Sequence, residues 1–117
     1  EPALLGKLKN DHLEVEKLHG NGMALGMVPS DLFDAIIEDQ TCAFNPGDMF
    51  VLYTDGVTES QNQSKEEFGF DRLCDKLKNS KDKNPLSFNA SLMKSLEEFS
   101  SISSERDDLT LLSVKRL

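Results

Sequence analysis

Short runs of hydrophobic residues separated by polar links open the chain and predict two strands. The runs extend from Ala3 to Leu8 and from Leu13 to Leu18, with polar residues 9–11 between them. Strands of this length joined by a short polar link are typical of a β-hairpin. The following segment, Gly20 to Pro29, contains three glycines and a proline. This composition excludes a regular helix and predicts an ordered loop lying against the core.

The run from Met49 to Tyr53 contains only apolar residues and predicts the central strand of a sheet. Such a run without alternation is typical of a strand covered on both faces. The segment Asn45-Pro46-Gly47-Asp48 directly before it has proline and glycine at the positions that a type II turn favours. β-branched and aromatic residues return between Phe33 and Phe44, ahead of this turn.

The second half of the sequence predicts two amphipathic helices and a last strand. Apolar residues recur at helical spacing from Phe70 to Asn79. A second helix is predicted after Asn84, a suitable N-cap, with Pro85 in its first turn. Its apolar stripe consists of Phe88, Leu92, Met93, Leu96 and Phe99, a pattern typical of core packing. The last predicted strand extends from Leu109 to Val114.

Length and charge limit the function classes. The 117 residues allow one modest domain, and 13 basic against 21 acidic side chains give a net charge of −8. This balance argues against nucleic acid or an anionic membrane as the main partner. No apolar run reaches the length of a membrane span, and no leader opens the chain, so we expect no membrane contact from this segment. Cys42 and Cys74 lack metal-ligand spacing and are predicted to be free thiols.

Acidic residues stand at two places where a predicted strand meets a loop. Asp55 follows the central strand and precedes Gly56, and the pair Asp107-Asp108 precedes the last strand. A carboxylate at the end of a buried strand is held rigidly, and hard cations such as Mg²⁺ and Mn²⁺ prefer oxygen ligands. Asp-Gly is also common in turns and Asp-Asp in solvated loops. The residues alone leave both interpretations open.

The motifs around these residues resemble those of the bacterial SpoIIE/RsbU-type serine phosphatases. That group belongs to the metal-dependent protein phosphatase, or protein phosphatase 2C, superfamily. The resemblance covers essentially the whole chain. The motifs on which it rests are Glu1-Pro2-Ala3-Leu4-Leu5, Gly22-Met23-Ala24-Leu25-Gly26, the turn at 45–48, Leu52-Tyr53-Thr54-Asp55-Gly56-Val57-Thr58-Glu59, Phe68-Gly69, Arg72-Leu73 and Asp107-Asp108-Leu109-Thr110-Leu111-Leu112.

The resemblance implies an α+β fold, part of an α-β-β-α sandwich of antiparallel sheets flanked by helices. The Gly-Asp-x-x-Gly-His-Gly-like segment of that family and its further metal-binding aspartate do not occur in this sequence. We therefore expect residues 1–117 to be the C-terminal portion of a SpoIIE/RsbU-type phosphatase domain, lacking the N-terminal half. The isolated chain is expected to be inactive or nearly so, and exposed sheet edges favour a homodimer.

The resemblance also implies two divalent ions, Mn²⁺ or Mg²⁺, in the complete domain. Water held between the ions attacks the phosphorus of phosphoserine or phosphothreonine, and no covalent phosphoenzyme forms. Asp55 and Asp107 correspond to metal ligands, and no catalytic residue beyond the metal ligands is implied. The supporting residues are Gly56, which gives backbone room, Thr54 and Thr110, which orient the carboxylates, Asp108 beside the second ligand, and Glu59 close in sequence to Asp55.

The function implied is removal of phosphate from a phosphorylated regulatory protein of the anti-sigma-factor antagonist type in the bacterial cytoplasm. The alternative is a degenerate, non-catalytic, phosphatase-like binding module in bacterial signalling, and the presence of Asp55 and Asp107 argues against it. An acidic calcium-binding domain would need an Asp-x-Asp-x-Asp-Gly loop, which this sequence lacks. A purely structural domain would explain the composition but neither acidic motif.

Overall fold

A four-stranded antiparallel sheet forms the centre of the molecule. The computed structural model describes residues 1–20, 22, 25–100 and 108–117. The strands are β1 (Ala3–Lys9), β2 (His12–Leu18), β3 (Met49–Tyr53) and β4 (Leu111–Lys115), in the order β2-β1-β3-β4. The predicted hairpin, the internal position of β3 and the last strand are confirmed.

Two short turns, one between β1 and β2 and one directly before β3, contain residues that adopt the positive φ angles these turns require. Asn10 adopts a positive φ of 48° in the two-residue link of the β1–β2 hairpin. In the second turn, the Asp48 N–H donates to the Asn45 carbonyl at 3.0 Å, and Gly47 has a φ of 90°. A Cβ at position 47 would lie 2.5 Å from a methyl carbon of Leu8. Glycine is therefore favoured there for its conformation, as a type II turn predicts, and any other residue would also require the Leu8 side chain to move.

The Asp48 carboxylate stabilises this turn from within. Asp48 is only 2% exposed, and each of its two carboxylate oxygens accepts a hydrogen bond from a backbone N–H. Oδ1 accepts from the Leu8 N–H at 2.8 Å, and Oδ2 accepts from the Asn45 N–H at 2.9 Å. The carboxylate therefore ties the turn before β3 to the end of β1, which sets the register between the two strands.

Four helices complete the fold: α1 (Ser30–Ile36), α2 (Asp55–Thr58), α3 (Gly69–Lys78) and α4 (Pro85–Ser100). The two amphipathic helices predicted from the sequence are confirmed as α3 and α4. The Asn84 side chain accepts a hydrogen bond from the Ser87 N–H at 2.8 Å, which is the predicted N-cap. No helix within the described residues is long and apolar enough to cross a membrane.

The core lies between one face of the sheet and the helices α3 and α4. Alternate residues of β3, namely Met49, Val51 and Tyr53, point into it. The buried helix residues Leu73, Leu77, Phe88, Leu92 and Leu96 cover them from the other side. The result is a mixed α+β arrangement of an antiparallel sheet with helices on one face.

The opposite face is not covered near β4, so the expectation that β3 is covered on both faces is wrong for the described residues. Leu52 is 42% exposed, and its partner Leu112 on β4 is 52% exposed. Phe50 and Val114 form the next cross-strand pair on the same face. We call the four residues Phe50, Leu52, Leu112 and Val114 the open sheet face. It is open because both long helices pack on the other side.

The segment between β2 and β3 also departs from expectation. Leu25 and Met27 are 84% and 70% exposed, so the described part of the 20–29 loop does not lie against the core. Residues 21, 23 and 24 of that loop lie outside the described residues. The β-branched and aromatic stretch after it begins with helix α1, which has no buried residue. Helix α1 thus adds nothing to the core, and hydrogen bonds connect the residues after it to the sheet. The Lys7 side chain donates to the Ala43 carbonyl at 2.8 Å, and the Arg116 side chain donates to the Phe44 carbonyl.

Candidate active site

Asp55 lies where β3 leaves the sheet. The strand ends at Tyr53, and Asp55 is the first residue of the one-turn helix α2. The Asp55 side chain is exposed, whereas the next three residues of α2 are buried. The Glu59 N–H donates to the Asp55 carbonyl at 2.8 Å and closes this turn. A buried turn directly after it thus holds the exposed carboxylate at the end of the central strand.

The residues that precede β4 lie against this turn. The Thr54 N–H donates to the Thr110 carbonyl at 3.1 Å, and the Thr110 N–H donates to the Thr54 hydroxyl at 2.9 Å. The Thr54 hydroxyl in turn donates to the Asp108 carbonyl at 3.3 Å. A Cβ on Gly56 would lie only 2.6 Å from that same carbonyl oxygen. Glycine at position 56 therefore allows the two chain segments to approach each other this closely.

The structure brings five of the predicted site residues to this end of the sheet: Thr54, Asp55, Gly56, Asp108 and Thr110. Glu59, the predicted neighbour, follows at the end of α2 and is exposed. Asp107, the second predicted metal ligand, lies outside the described residues. The contacts of Thr54 and Thr110 involve backbone groups and one hydroxyl rather than the carboxylates.

The donor atoms at this end of the sheet are of the type that a hard cation prefers, but the described residues supply too few of them for a metal site. The Asp55 and Asp108 carboxylates are oxygen donors of the type that Mg²⁺ and Mn²⁺ prefer. Within the described ranges, however, no three His, Cys, Asp or Glu side chains are grouped so that they could hold a metal ion. The described part of the chain thus supplies part of a donor set and not a complete metal site.

Ser60 also supports this turn, although it was not among the residues predicted from the sequence. Its hydroxyl donates to the Gly56 carbonyl at 2.8 Å, and its own carbonyl accepts from the Phe68 N–H at 2.7 Å. These bonds join the end of α2 to the residue before α3. A serine four residues after the glycine is a weak signal, because such back-bonding is common near helix ends.

Tyr53, the last residue of β3, has a buried phenol. Its hydroxyl has no hydrogen-bond partner among the described residues. Burial raises the pKa of Tyr53 to about 12, and the negative charges of Glu1 and of a Cys74 thiolate add to the shift. The phenol is therefore neutral near pH 7, on the core side of β3.

Both cysteines have free thiols, as predicted. Cys42 is exposed, and burial raises the pKa of Cys74.

Comparison with known proteins identifies similar chains. Residues 2–117 match the family described as Stage II sporulation protein E (SpoIIE). Protein IcfG of Synechocystis sp. (strain ATCC 27184 / PCC 6803 / Kazusa) is 38% identical over 61 residues, which is 52% of this chain and 9% of that protein.

Solved structures share the fold. The SiaA-PP2C domain of Pseudomonas aeruginosa superposes with a TM-score of 0.78 at 23% identity, over 99% of this chain and 42% of that one. Two structures of the phosphatase domain of the cell fate determinant SpoIIE from Bacillus subtilis, the second of them Mn presoaked, give TM-scores of 0.59 and 0.58 at 20% and 18% identity. They are matched over 97% and 99% of this chain, and over 45% and 46% of theirs.

The chain thus spans less than half the length of each of these proteins, while the family match extends over nearly all of its own residues. A match of that extent over the chain is sufficient to establish the family. Together with the antiparallel sheet, the helices on one face and the Asp-Gly turn after the central strand, it shows that this chain belongs to the SpoIIE family.

Proposed function

We propose that this chain is the C-terminal portion of a metal-dependent protein serine/threonine phosphatase. One observation carries the proposal: Asp55 and the residues that follow Asp107 meet at one end of the sheet, joined through Thr54 and Gly56. The family membership and the similarity to phosphatase domains support the same reaction class. The proposal extends beyond the described residues, because it assigns Asp107 as the second carboxylate ligand.

In this proposal the chain contributes two carboxylates and their rigid support. Asp55 and Asp107 bind the cation, and Asp108 and Glu59 surround them with negative charge that favours a divalent ion. A bound Mn²⁺ or Mg²⁺ would lower the pKa of the attacking water and neutralise charge on the phosphoryl oxygens. Gly56 gives the backbone room that lets the segments around Asp55 and Asp108 approach each other, and Thr54 and Thr110 are the supporting residues on these two segments.

Manganese binding tests the metal role of Asp55. Titration calorimetry of the chain is expected to give weak binding, near millimolar, which corresponds to about −4 kcal/mol. Asp55→Asn keeps the size of the side chain but removes its charge, and it is expected to abolish the binding heat. Asp34→Asn, a change at an exposed position in α1, is the matched control and should leave binding unchanged. Equal binding by the wild type and by Asp55→Asn would refute the metal role.

We also propose that the 117-residue chain does not turn over substrate on its own. The expectation rests on the family resemblance, because the sequence lacks that family's Gly-Asp-x-x-Gly-His-Gly-like segment and its further metal-binding aspartate. The assay is release of phosphate from a phosphoserine peptide in the presence of Mn²⁺. Robust turnover by the isolated chain would contradict it. No binding of Mn²⁺ by the wild type would favour the alternative, a non-catalytic binding module.

For the complete protein, the proposed substrate is a phosphorylated regulatory protein of the anti-sigma-factor antagonist type, in the cytoplasm. This assignment follows from the family resemblance. The acidic charge of the chain supports a cation and a protein partner rather than nucleic acid. Phosphoserine and phosphothreonine forms of one such protein, compared as substrates of the complete enzyme, would test the residue specificity.

The isolated chain is further proposed to form a homodimer through its uncovered sheet surfaces. The open sheet face is apolar, and β2 and β4 are edge strands of the sheet. Light scattering over a range of concentrations should detect the dimer, and Leu112→Glu should convert it to a monomer. Leu86→Glu changes an equally apolar but 80% exposed residue of α4 and is the control. A wild-type chain that stays monomeric at high concentration would contradict this proposal.

A further inference from the structure

Thr54 takes part in two structures at once, namely the first turn of helix α2 and the pairing of β3 with the segment before β4. Its backbone carbonyl accepts from the Val57 N–H at 3.0 Å, which starts helix α2. In a regular antiparallel ladder, a carbonyl at this position would instead accept from the residue opposite, Thr110. The Thr54 hydroxyl takes over that task and accepts from the Thr110 N–H at 2.9 Å. The strand pairing thus continues one residue beyond Tyr53, the last residue of β3, while the backbone already turns into the helix.

The same hydroxyl also acts as a donor. A hydroxyl can donate one hydrogen bond while it accepts another. The Thr54 hydroxyl donates to the Asp108 carbonyl at 3.3 Å, so one side chain contacts residues on both sides of Leu109. We call these two hydrogen bonds the Thr54 bridge. It joins the residue directly before Asp55 to a segment that is 54 to 56 positions away along the chain.

Few side chains could form this bridge. Valine has nearly the shape of threonine but neither donates nor accepts, and alanine has no polar atom at all. Serine retains the hydroxyl and loses only a methyl group. Gly56 adds to the specificity of the geometry, because any larger residue there would collide with the carbonyl that the bridge binds. The hydroxyl is therefore the chemical feature of residue 54 that the arrangement requires.

We propose that Thr54 is a positioning residue for the phosphatase reaction: its hydroxyl holds Asp55 at a fixed distance from the segment that begins after Asp107. The inference rests on the proposed function, since it assumes that Asp55 binds the cation. Thr54 acts through Asp55 and through the backbone of Asp108 and Thr110. Loss of the hydroxyl is therefore expected to weaken metal binding without removing a ligand.

The test uses the full 117-residue chain labelled with ¹⁵N and titrated with Mn²⁺, which broadens the amide signals of nearby residues. The signals of Gly56 and Thr110 report an apparent Kd. Thr54→Val is expected to raise this Kd about tenfold, which corresponds to about 1.4 kcal/mol. Thr54→Ser should restore wild-type binding, and Thr41→Val, at an exposed position, is the matched control. Hydrogen exchange of the Thr110 amide should accelerate in Thr54→Val but not in Thr54→Ser.

Circular dichroism establishes that each variant is folded, and Thr54→Ala replaces Thr54→Val if the valine disrupts the strand end. Wild-type Kd values for both Thr54→Val and Thr54→Ala would overturn the positioning role, while the metal role of Asp55 would stand. A serine variant as weak as the valine variant would also overturn it, because the hydroxyl would not be the cause. If Asp55→Asn leaves the broadening unchanged, the proposed metal role fails, and the positioning role fails with it.

Discussion

Replacing Gly56 by alanine is expected to destabilise the chain, although alanine normally stabilises a helix relative to glycine. The new Cβ would lie 2.6 Å from the Asp108 carbonyl oxygen and 3.4 Å from the Cα of Leu109. Both are backbone atoms, which cannot rotate away as the end of a flexible side chain can. The segment at 108–110 must therefore move away from α2, which strains the two hydrogen bonds of the Thr54 bridge.

The magnitude follows from three opposing effects. Overpacking of a tight contact costs about 1–3 kcal/mol, and a weakened hydrogen bond costs about 1 kcal/mol. The helix preference of alanine over glycine returns at most about 1 kcal/mol, and less in a helix of one turn. The expected loss in the free energy of unfolding is about 2 kcal/mol, or a fall in Tm of roughly 8 °C for a chain of this size.

Urea denaturation followed by circular dichroism measures this loss directly. Gly20→Ala is the matched control, because a Cβ at position 20 has no neighbour within 4 Å. Its free energy of unfolding should stay within about 0.5 kcal/mol of the wild-type value. The packing argument would be wrong if Gly56→Ala were as stable as the wild type and as Gly20→Ala. Loss of stability in both variants alike would point to a general effect of removing glycine.

Three further results are expected. Leu92→Ala removes a fully buried side chain and should cost about 2–5 kcal/mol in urea denaturation, whereas Leu86→Ala, at an 80% exposed position, should change stability little. The single tyrosine, Tyr53, should titrate by ultraviolet absorbance near pH 12 in the folded chain and near pH 10 in urea. Because its folded pKa is raised, the free energy of unfolding should fall as the pH rises from 10 to 12, and it should fall less steeply in Tyr53→Phe. A thiol reagent at pH 8 should modify the exposed Cys42 faster than Cys74, whose pKa burial raises, and equal rates would contradict this.

The elements that the sequence predicts best are those stabilised by nearby residues. The hairpin depends on the polar link between two apolar runs, and the turn at 45–48 depends on proline and glycine at adjacent positions. Helix α4 begins where Asn84 caps it and where Pro85 fits the first turn. In each case the hydrogen bonds or the conformational preferences act within a few residues, so the pattern of residue types is sufficient to predict the structure.

The candidate site was predictable only in part. The motif around Asp55 indicated an acidic residue at a strand end with glycine after it, and the structure agrees. The resemblance named Thr54 as a supporting residue, but the partners of its hydroxyl were not predictable. The residues around position 54 in the sequence are the same whether this hydroxyl binds water or the Thr110 N–H. Its partners lie 54 and 56 positions away, and the periodic patterns used to predict helices and strands relate only residues a few positions apart.

By itself, the sequence determined the local elements, the acidic motifs and the resemblance to a phosphatase family. Only the tertiary structure decided which face of β3 is buried, that α1 packs no residue into the core, and that the ends of β3 and β4 meet through Thr54. The reason is physical. Turns and helices are stabilised by contacts between residues a few positions apart, whereas burial and strand pairing depend on which distant segments come to lie beside them.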